Sequence, residues 1–348
     1  MGTYALRASL LLVLAVLAVP GMSHAGQPTP PRALLAISKV EHRLSVIDLA
    51  TLTIVAHYPV GPDPHEVVTT PDGRTAYVSN MVDGNGHEID VIDLAGQKAL
   101  PALDTGPLKG THGLVYRDGK LWFTAQGAKS VAQLDAASGK VDWVMGTGQD
   151  GTHMIQLTPD GHRFYTTNMG SGTVSLFDYQ LVPPSSAAYG FVPPGREPSL
   201  QWVQSAIPLA PGVEGFDVSP DGAELWTASP ATGQLFVIET ATRRVSAYAA
   251  GLFGANRLRF TIDGNRLFVS SIRNGDVVVF DAATRSEVRR LQFCKSATGI
   301  AMDPDGTRAF VACYADNYLA VIDLASLEVV GRVEVGGRPD GMAFAIRP

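Results

Sequence analysis

The feature that most constrains the fold of this chain is a sevenfold internal repeat. Each copy contains a short apolar strand that ends in an acidic residue, and these seven acids are Asp48, Asp93, Asp135, Asp178, Glu239, Asp281 and Asp323. In six copies another apolar strand ends ten residues earlier, and in six an Asp-Gly pair precedes that strand. Such a pair supplies the positive φ that a tight hairpin needs. The repeat therefore predicts hairpins joined in series.

A period of about 42 residues made of four short strands is typical of a β-propeller blade rather than of a helical solenoid. The copy that spans the two chain ends lacks its Asp-Gly turn. We therefore predict that strand 341–346 is the innermost strand of a blade whose other three strands come from residues 33–60. This pairing leaves no open sheet edge between blades. The prediction is an all-β fold, with residues 26–348 forming one seven-bladed propeller domain.

Several repeated segments resemble the YVTN-type β-propeller repeat of exported bacterial proteins. They are AYVSN at 76–80, FYTTN at 164–168, TPDG at 158–161 and VIDL at 321–324. The resemblance covers essentially the whole mature chain and implies the propeller fold. Similar propellers serve as binding proteins, lactonases, lyases and subunits of quinoprotein dehydrogenases, the amine dehydrogenase β-chain among them, so the resemblance implies no single function.

Residues 1–25 have the pattern of a secretory signal, with Arg7, an apolar run over 8–19 and small residues before Ala25. The run is too short to span a bilayer and no cysteine lies near the cleavage point. We expect a periplasmic or secreted protein without a membrane anchor. A net charge of −6 without any basic run argues against nucleic acid as the partner. Two cysteines exclude a four-thiolate metal site and a CxxCH haem attachment.

The repeat names one equivalent position per copy at the start of the innermost strand, and its side chain is polar in every copy. These positions are His65, His112, His153, Glu214, Asn256, Thr298 and Asp340. The next residue is glycine in four copies, namely Gly113, Gly215, Gly299 and Gly341. In a propeller the innermost strand begins at the rim of the central channel. We therefore expect a polar ring at one mouth of the channel.

Three histidines and a glutamate on four successive blades are the strongest chemical signal. Neutral imidazole nitrogens with a carboxylate suit a transition metal such as Zn, Cu or Fe. His65, His112, His153 and Glu214 are therefore candidate metal ligands, and His87, in a loop expected on the same face, is a further candidate. Two alternatives stay open: the ring binds a small organic ligand, or it is structural and its members hydrogen-bond one another.

A second hypothesis is a hydrolase, lactonase or lyase that uses the same ring, with His153, Glu214 and Arg257 as candidate catalytic residues. Arg257 and Glu66 both replace glycine in the column that follows the ring. The Arg257 guanidinium could face an anionic substrate, although a salt bridge between blades is the favoured interpretation. Arg338 could also reach the mouth.

A third hypothesis is a platform for a protein partner such as a periplasmic redox enzyme. Residues 179–202 form a Pro-rich insertion between the third and fourth strands of one blade, so we expect them on the face opposite the ring. The insertion carries Tyr189, Phe191 and Trp202, which could dock a partner. A loosely ordered flap is the favoured alternative.

Cys294 and Cys313 are expected to form a disulfide. One lies just before an innermost strand and the other at the end of the antiparallel strand that follows, so the hairpin brings them to the same end. An oxidising compartment would allow the bond, which would stabilise one blade. The four tryptophans, Trp122, Trp143, Trp202 and Trp226, are interpreted as blade packing rather than ligand stacking.

Overall fold

The computed structural model describes residues 29–184 and 197–347, which form seven four-stranded antiparallel sheets. The expected signal and the aromatic residues Tyr189 and Phe191 lie outside the described residues. Apart from strands, these residues include a single 3₁₀ turn at Gln126–Ala128 and no α-helix. The prediction of an all-β, seven-bladed propeller is confirmed.

The strands follow the chain blade by blade, beginning with three strands of the blade that closes the ring, blade 7: β1 (Arg32–Ser38), β2 (Arg43–Asp48) and β3 (Thr53–Pro59). Blade 1 contains β4 (Pro64–Thr69), β5 (Thr75–Asn80), β6 (Glu88–Asp93) and β7 (Lys98–Asp104). Blade 2 contains β8 (Thr111–Arg117), β9 (Lys120–Ala125), β10 (Ser130–Asp135) and β11 (Lys140–Gly146). Blade 3 contains β12 (Thr152–Leu157), β13 (Arg163–Asn168), β14 (Thr173–Val182) and β15 (Ser199–Pro208).

Blade 4 contains β16 (Phe216–Val218), β17 (Glu224–Ala228), β18 (Gln234–Glu239) and β19 (Val245–Ala249). Blade 5 contains β20 (Ala255–Phe260), β21 (Arg266–Ser271), β22 (Asp276–Asp281) and β23 (Glu287–Gln292). Blade 6 contains β24 (Ala297–Met302), β25 (Arg308–Cys313), β26 (Tyr318–Asp323) and β27 (Glu328–Glu334). The last strand, β28 (Pro339–Ile346), returns to blade 7. It pairs antiparallel with β1, with Ala33 opposite Ala345 and Ala36 opposite Met342. The predicted closure by the two chain ends is confirmed.

The core lies between the blades, since each sheet is covered on both faces by its neighbours. Leu34, Leu35, Ala36 and Ile37 of β1 are consecutive and fully buried. Outermost strands are different: β11 alternates exposed and half-buried residues. The alternation expected for half-buried strands therefore holds at the rim, whereas the middle strands are continuous apolar runs buried on both faces. This packing holds the innermost strands in place around the channel.

Asp-Gly turns connect the first and second strands of the blades, as expected. Asp118 and Gly119 both have positive φ and join β8 to β9 in a two-residue turn. In the longer turn after β4 only Gly73 has positive φ, and the Asp72 carboxylate accepts hydrogen bonds from the Arg74 N–H and the Thr70 hydroxyl. These turns lie at the ends of the inner strands and so mark the face opposite their first residues.

The Pro-rich insertion differs from the expected loop. Both of its ends lengthen strands, since residues 179–182 of β14 pair with residues 199–202 of β15, and Tyr179 lies opposite Trp202. Trp202 packs against Trp122 and Trp143 rather than standing in a flap. The strands continue because the segments on either side of the prolines still provide apolar residues for pairing. The expectation of a loosely ordered flap is therefore wrong for these two ends.

The predicted disulfide is present. It joins Cys294, before β24, to Cys313, the last residue of β25, with 5.3 Å between their Cα atoms. Both cysteines are buried among the apolar side chains of blade 6. Within residues 29–184 and 197–347 there is no helix with the length and hydropathy that crossing a bilayer requires.

Candidate functional site

All seven predicted ring residues lie at the start of their blade's innermost strand. Six are the second residue of that strand, and Glu214 lies two residues before β16. The channel end where these strands begin is called the upper mouth below, and the end where they finish is called the lower mouth. Six of the seven inner strands, all except β16, have a register shift next to their ring residue, for example between Pro64 and Val67 in β4. The ring therefore occupies the irregular entry of these sheets.

The glycine column allows neighbouring inner strands to approach closely. A Cβ atom on Gly215 would lie 2.3 Å from the Asn256 carbonyl oxygen, and one on Gly341 would lie 2.3 Å from that of His65. Real Cβ atoms do not tolerate such distances. Glycine is thus required at the four positions where the carbonyl of the next blade's ring residue comes this close, whereas Glu66, Met154 and Arg257 occupy the same column in the other three blades.

A column of hydroxyl side chains, not recognised in the sequence, ties the ring residues to neighbouring blades. Ser79 accepts a hydrogen bond from the Glu66 N–H at 3.1 Å and donates one to the His112 carbonyl at 2.7 Å. Equivalent bridges are made by Thr124, Thr167 and Ser270. The signal was present, because each hydroxyl lies one residue before the aligned end of its strand.

The three ring histidines form a continuous row of imidazoles. The ring centroids of His65 and His112 are 4.6 Å apart, and those of His112 and His153 are 3.7 Å apart. His112 is fully buried and His153 nearly so. Among the described residues, neither ring nitrogen of His112 or of His153 has a hydrogen-bond partner. The four buried nitrogens therefore lack the hydrogen bonds that buried polar atoms normally make, although the Glu214 carboxylate lies within ion-pair distance of His153 Nε2, at 3.4 Å.

Glu214 continues this row and connects it to Arg257. Glu214 Oε1 lies 3.4 Å from His153 Nε2, and it accepts hydrogen bonds from Asn256 Nδ2 at 2.7 Å and Arg257 Nη1 at 2.8 Å. Arg257 Nη2 also donates to Glu66 at 2.7 Å. Blade 5, which carries Arg257, and blade 1, which carries Glu66, lie on opposite sides of the ring. This ion pair therefore crosses the channel, and the structure shows the salt bridge that was favoured for Arg257.

A second charged group surrounds His65 at the upper mouth. Lys39 Nζ lies 2.7 Å from His65 Nε2, 3.5 Å from Asp63 and 3.4 Å from Asp340. His65 Nε2 also lies 3.0 Å from Asp63. Lys39 and Asp63 were not recognised in the sequence because they lie in loops between strands. Their position could have been inferred, since the loop after β1 and the loop before β4 both open on the upper face.

We refer to the residues joined by these contacts as the channel cluster. It consists of Lys39, Asp63, His65, Glu66, His112, His153, Glu214, Asn256, Arg257 and Asp340. Three residues considered in the sequence lie outside it. His87 is exposed and pairs with Asp104 at 3.0 Å, Thr298 donates to the Pro339 carbonyl, and the Arg338 guanidinium lies over the Tyr314 ring.

Burial and charge set the protonation of the cluster. Burial, together with the nearby charges of Arg257 and Lys39, holds the pKa of His112 well below its usual value of 6.5. Burial also lowers the pKa of His153, and contact with Glu214 only partly opposes it. Burial alone would raise the pKa of Glu214, but the contacts with His153 and Arg257 lower it to about 2. At neutral pH the imidazoles of His112 and His153 are therefore neutral and lie beside the ionised Glu214 carboxylate.

The channel cluster contains side chains that commonly bind metals, but they are not arranged around a common ion position. Among the residues that the structure describes, no three side chains of His, Cys, Asp or Glu converge to hold one ion. The His112 and His153 rings have centroids 3.7 Å apart and are tilted by 34°, so they pack against each other rather than around an ion. Metal ligation by His65, His112, His153 and Glu214 stays a prediction, and it requires their side chains to rotate.

Comparison with solved structures shows the fold. A protein of unknown function from Desulfotomaculum acetoxidans DSM 771 matches with a TM-score of 0.71 at 15% identity, over 91% of this chain and 99% of that one. A candidate 6-phosphogluconolactonase from Bacteroides uniformis ATCC 8492 matches with a TM-score of 0.71 at 14% identity, over 90% and 99%. Kuenenia stuttgartiensis hydrazine synthase matches with a TM-score of 0.69 at 16% identity, over 91% and 100%.

No protein-family model matches the chain, and no curated protein matches its sequence. Membership of the YVTN-type family therefore stays a prediction. Because all three structural likenesses are below 25% identity, they establish the seven-bladed propeller and carry no substrate or activity to this chain.

Proposed function

We propose that this protein is an exported propeller that binds a small cation at the upper mouth of its channel, and that binding rather than catalysis is its function. The observation that carries the proposal is the row of buried imidazoles of His112 and His153, whose ring nitrogens make no hydrogen bond within residues 29–184 and 197–347 and which lie beside more carboxylates than cationic side chains. Buried polar atoms without partners are costly, so a bound group that satisfies them would be favoured.

The charges of the channel cluster favour a cationic ligand over an anionic one. The cluster contains two cationic side chains, Lys39 and Arg257, and four carboxylates, Asp63, Glu66, Glu214 and Asp340. The carboxylates thus outnumber the cationic side chains by two. An anion would add to this excess, whereas a cation would neutralise it.

A transition-metal ion is the cation best matched to these donors, because neutral imidazole and carboxylate are typical ligands of zinc and copper. Rotation of the closely packed imidazoles would have to precede binding. When only a fraction of the protein has the arrangement that binds the ligand, the apparent affinity is reduced in proportion to that fraction. We therefore expect moderate metal affinity. A small protonated amine, which needs only to donate hydrogen bonds to the carboxylates, is the organic form of the same proposal.

Metal analysis of protein without a polyhistidine tag tests the proposal. The protein would be stripped, reloaded with Zn²⁺, Cu²⁺ or Fe²⁺, desalted and assayed, and methylamine binding would be followed calorimetrically. We expect close to one equivalent of cation, with at least a tenfold loss of affinity in His112→Gln and Glu214→Gln. His87→Gln is the matched control and should bind normally. Less than about a tenth of an equivalent of every metal, with no heat from methylamine, would refute the proposal.

Acid–base catalysis by His153 and Glu214 is less well supported by the geometry. A general acid needs a pKa near the working pH, whereas the pKa of Glu214 is about 2 and its Oε1 is already engaged by Asn256 and Arg257. Turnover of a lactone panel that disappears when His153→Ala and Glu214→Ala are combined would reverse this order of preference.

The extended hairpin of blade 3 supports the third hypothesis, a protein partner. Leu181 and Leu200 face each other across β14 and β15, and they are 62% and 57% exposed. Two exposed leucines that lie opposite each other on neighbouring strands are suited to an apolar contact with another protein. Replacing both with serine should abolish capture of such a partner and leave the fold intact, which circular dichroism would check.

Export remains part of the proposal. The signal-like pattern of residues 1–25 supports it, and the Cys294–Cys313 disulfide is consistent with an oxidising compartment. Fractionation of cells expressing the full chain, with and without residues 1–25, tests it. Recovery of the full chain in the cytoplasm at its unprocessed mass would contradict export.

A further inference from the structure

A second cavity lies at the lower mouth, away from the channel cluster. It has a volume of about 390 Å³ and is formed by the ends of four consecutive inner strands, β16, β20, β24 and β28, and by the turns that follow two of them. The size falls within the range of small-molecule sites. Its walls are mainly apolar, including Phe260, Ile300, Met302, Met342 and Phe344.

Two charged side chains, Asp217 and Arg259, line this cavity, and they differ in how many of their hydrogen-bonding groups already have a partner. Asp217 is 7% exposed and accepts hydrogen bonds from the backbone N–H groups of Phe260 at 2.8 Å and Val218 at 3.0 Å. Arg259 Nη1 reaches Asp217 only at 3.4 Å, and its side chain is 40% exposed. A guanidinium has five N–H donors. Arg259 is therefore the group with donors available to a ligand.

The sequence of blade 5 departs from the repeat at this cavity. The residue before the Asp-Gly turn is proline in four other blades, at Pro71, Pro159, Pro220 and Pro304. In blade 5 it is Ile262, which is 55% exposed at the cavity rim. The position of Arg259 is occupied in the other blades by Val68, Val115, Gln156, Asp217, Ala301 and Ala343. Blade 5 thus adds an apolar rim and a guanidinium where the repeat does not require them.

We propose that the lower cavity is a second binding site, specific for a small amphipathic carboxylate. The apolar body of the ligand packs between Phe260, Met302 and Phe344, and its carboxylate receives hydrogen bonds from Arg259. Arginine suits this role because its planar fork matches a carboxylate in a bidentate arrangement. An ammonium head group would instead meet Arg259 with like charge, since Asp217 is already engaged by backbone donors. The site does not depend on cation binding at the upper mouth.

Displacement of the fluorescent probe 1-anilinonaphthalene-8-sulfonate from the full chain tests this site. The competitors are octanoate, octanol and octylamine, which share an apolar body and differ in head group. We expect octanoate to displace the probe at least fivefold more tightly than octylamine. Arg259→Gln should weaken octanoate at least tenfold and change octanol by less than twofold. Arg273→Gln, an exposed arginine in the same blade near the upper mouth, is the matched control and should change neither.

A second variant locates the binding. Ala301→Phe places a ring in the cavity and should abolish displacement by octanoate and octanol alike, while circular dichroism and the melting temperature show that the fold persists. Three results would overturn the proposal: no probe binding to the native protein, tighter binding of octylamine than octanoate, or undiminished octanoate binding by folded Arg259→Gln and Ala301→Phe proteins.

Discussion

His112 is a fully buried imidazole, and its burial couples the stability of the protein to pH. The neutral ring occupies a place from which a proton is excluded by desolvation and by the charges of Arg257 and Lys39. In the unfolded chain the same imidazole titrates near pH 6.5. Below that pH the unfolded state takes up protons that the folded state does not, so acid favours unfolding.

The free energy of unfolding is therefore expected to fall as the pH drops below about 6.5, by up to about 1.4 kcal/mol per pH unit for each buried neutral histidine. The contribution of Glu214 to the free energy of unfolding is lost over a separate, more acidic pH range. Its folded pKa is lowered to about 2 from 4.5, so its stabilisation is complete above pH 4.5 and disappears towards pH 2. Urea denaturation at pH 7.5 and 5.5 would measure the histidine effect. His112→Gln should flatten this dependence, whereas His87→Gln should leave it as steep as in the native protein.

Arg257 neutralises two carboxylates at once, so its removal should be costly. The side chains of Arg257, Glu66 and Glu214 are only 8%, 13% and 17% exposed. Removing one partner of a buried ion pair typically costs about 3 to 5 kcal/mol, because a buried charge is left uncompensated. We expect a loss of this order for Arg257→Gln in chemical denaturation. The triple variant that also carries Glu66→Gln and Glu214→Gln should be more stable than Arg257→Gln alone; if it is less stable, charge burial is not the cause.

At the scale of residues, the sequence was sufficient to place each ring residue on its strand, but it did not predict which side chains contact one another. The repeat placed the ring residues at the start of their strands, because every blade repeats the same backbone path. It could not show that the His112 and His153 rings pack against each other, or that Arg257 crosses the channel to Glu66, because rotamers are set by neighbours from other blades. Lys39 lies in a loop that no column of the alignment contains.

The backbones of neighbouring inner strands lie very close together at the glycine column. Substitution of these glycines should therefore lower the stability of the protein. Gly215 leaves room for the Asn256 carbonyl, where a Cβ would lie 2.3 Å away. Overpacking of this kind typically costs about 1 to 3 kcal/mol. Gly215→Ala should therefore lower the melting temperature clearly. Gly146, near the rim in β11, has open space around its Cβ direction, so Gly146→Ala should change stability by less than about 0.5 kcal/mol. Equal melting temperatures for the two variants would contradict this account.

At the scale of elements, the longest departure from the repeat was also the least predictable. Prolines between residues 183 and 194 favoured an interpretation as a loop, yet β14 and β15 extend through residues 182 and 199. Composition averages over the whole insertion, whereas strand pairing depends on the residues at its two ends. There Tyr179 and Trp202 face each other and join the aromatic packing between blades 2 and 3.

The whole molecule follows from the number of repeats and the placement of the chain ends. Seven sheets close a ring only because β28 completes the blade begun by β1 to β3. This closure was predictable from the missing turn, since a ring of repeats must join its ends somewhere. The net negative charge of the channel cluster was not predictable, because it combines loops and strands of blades far apart in sequence. The proposed cation site depends on closure, which brings Asp340 to Lys39 and His65.

Removing β28 should therefore affect the molecule as a whole. A chain ending at Gly337 would lose the innermost strand of blade 7, exposing an edge of β1 and removing Asp340 from the channel cluster. Since every blade is packed between two others, we expect the truncated chain to unfold at a clearly lower temperature and less cooperatively than the full chain. A synthetic peptide of residues 338–348 added in trans should restore much of the loss, as calorimetry would show, whereas the same peptide with Phe344→Asp and Ala345→Asp should not. A truncated chain that melts with the temperature and enthalpy of the full protein would show that closure by the chain ends does not stabilise the ring.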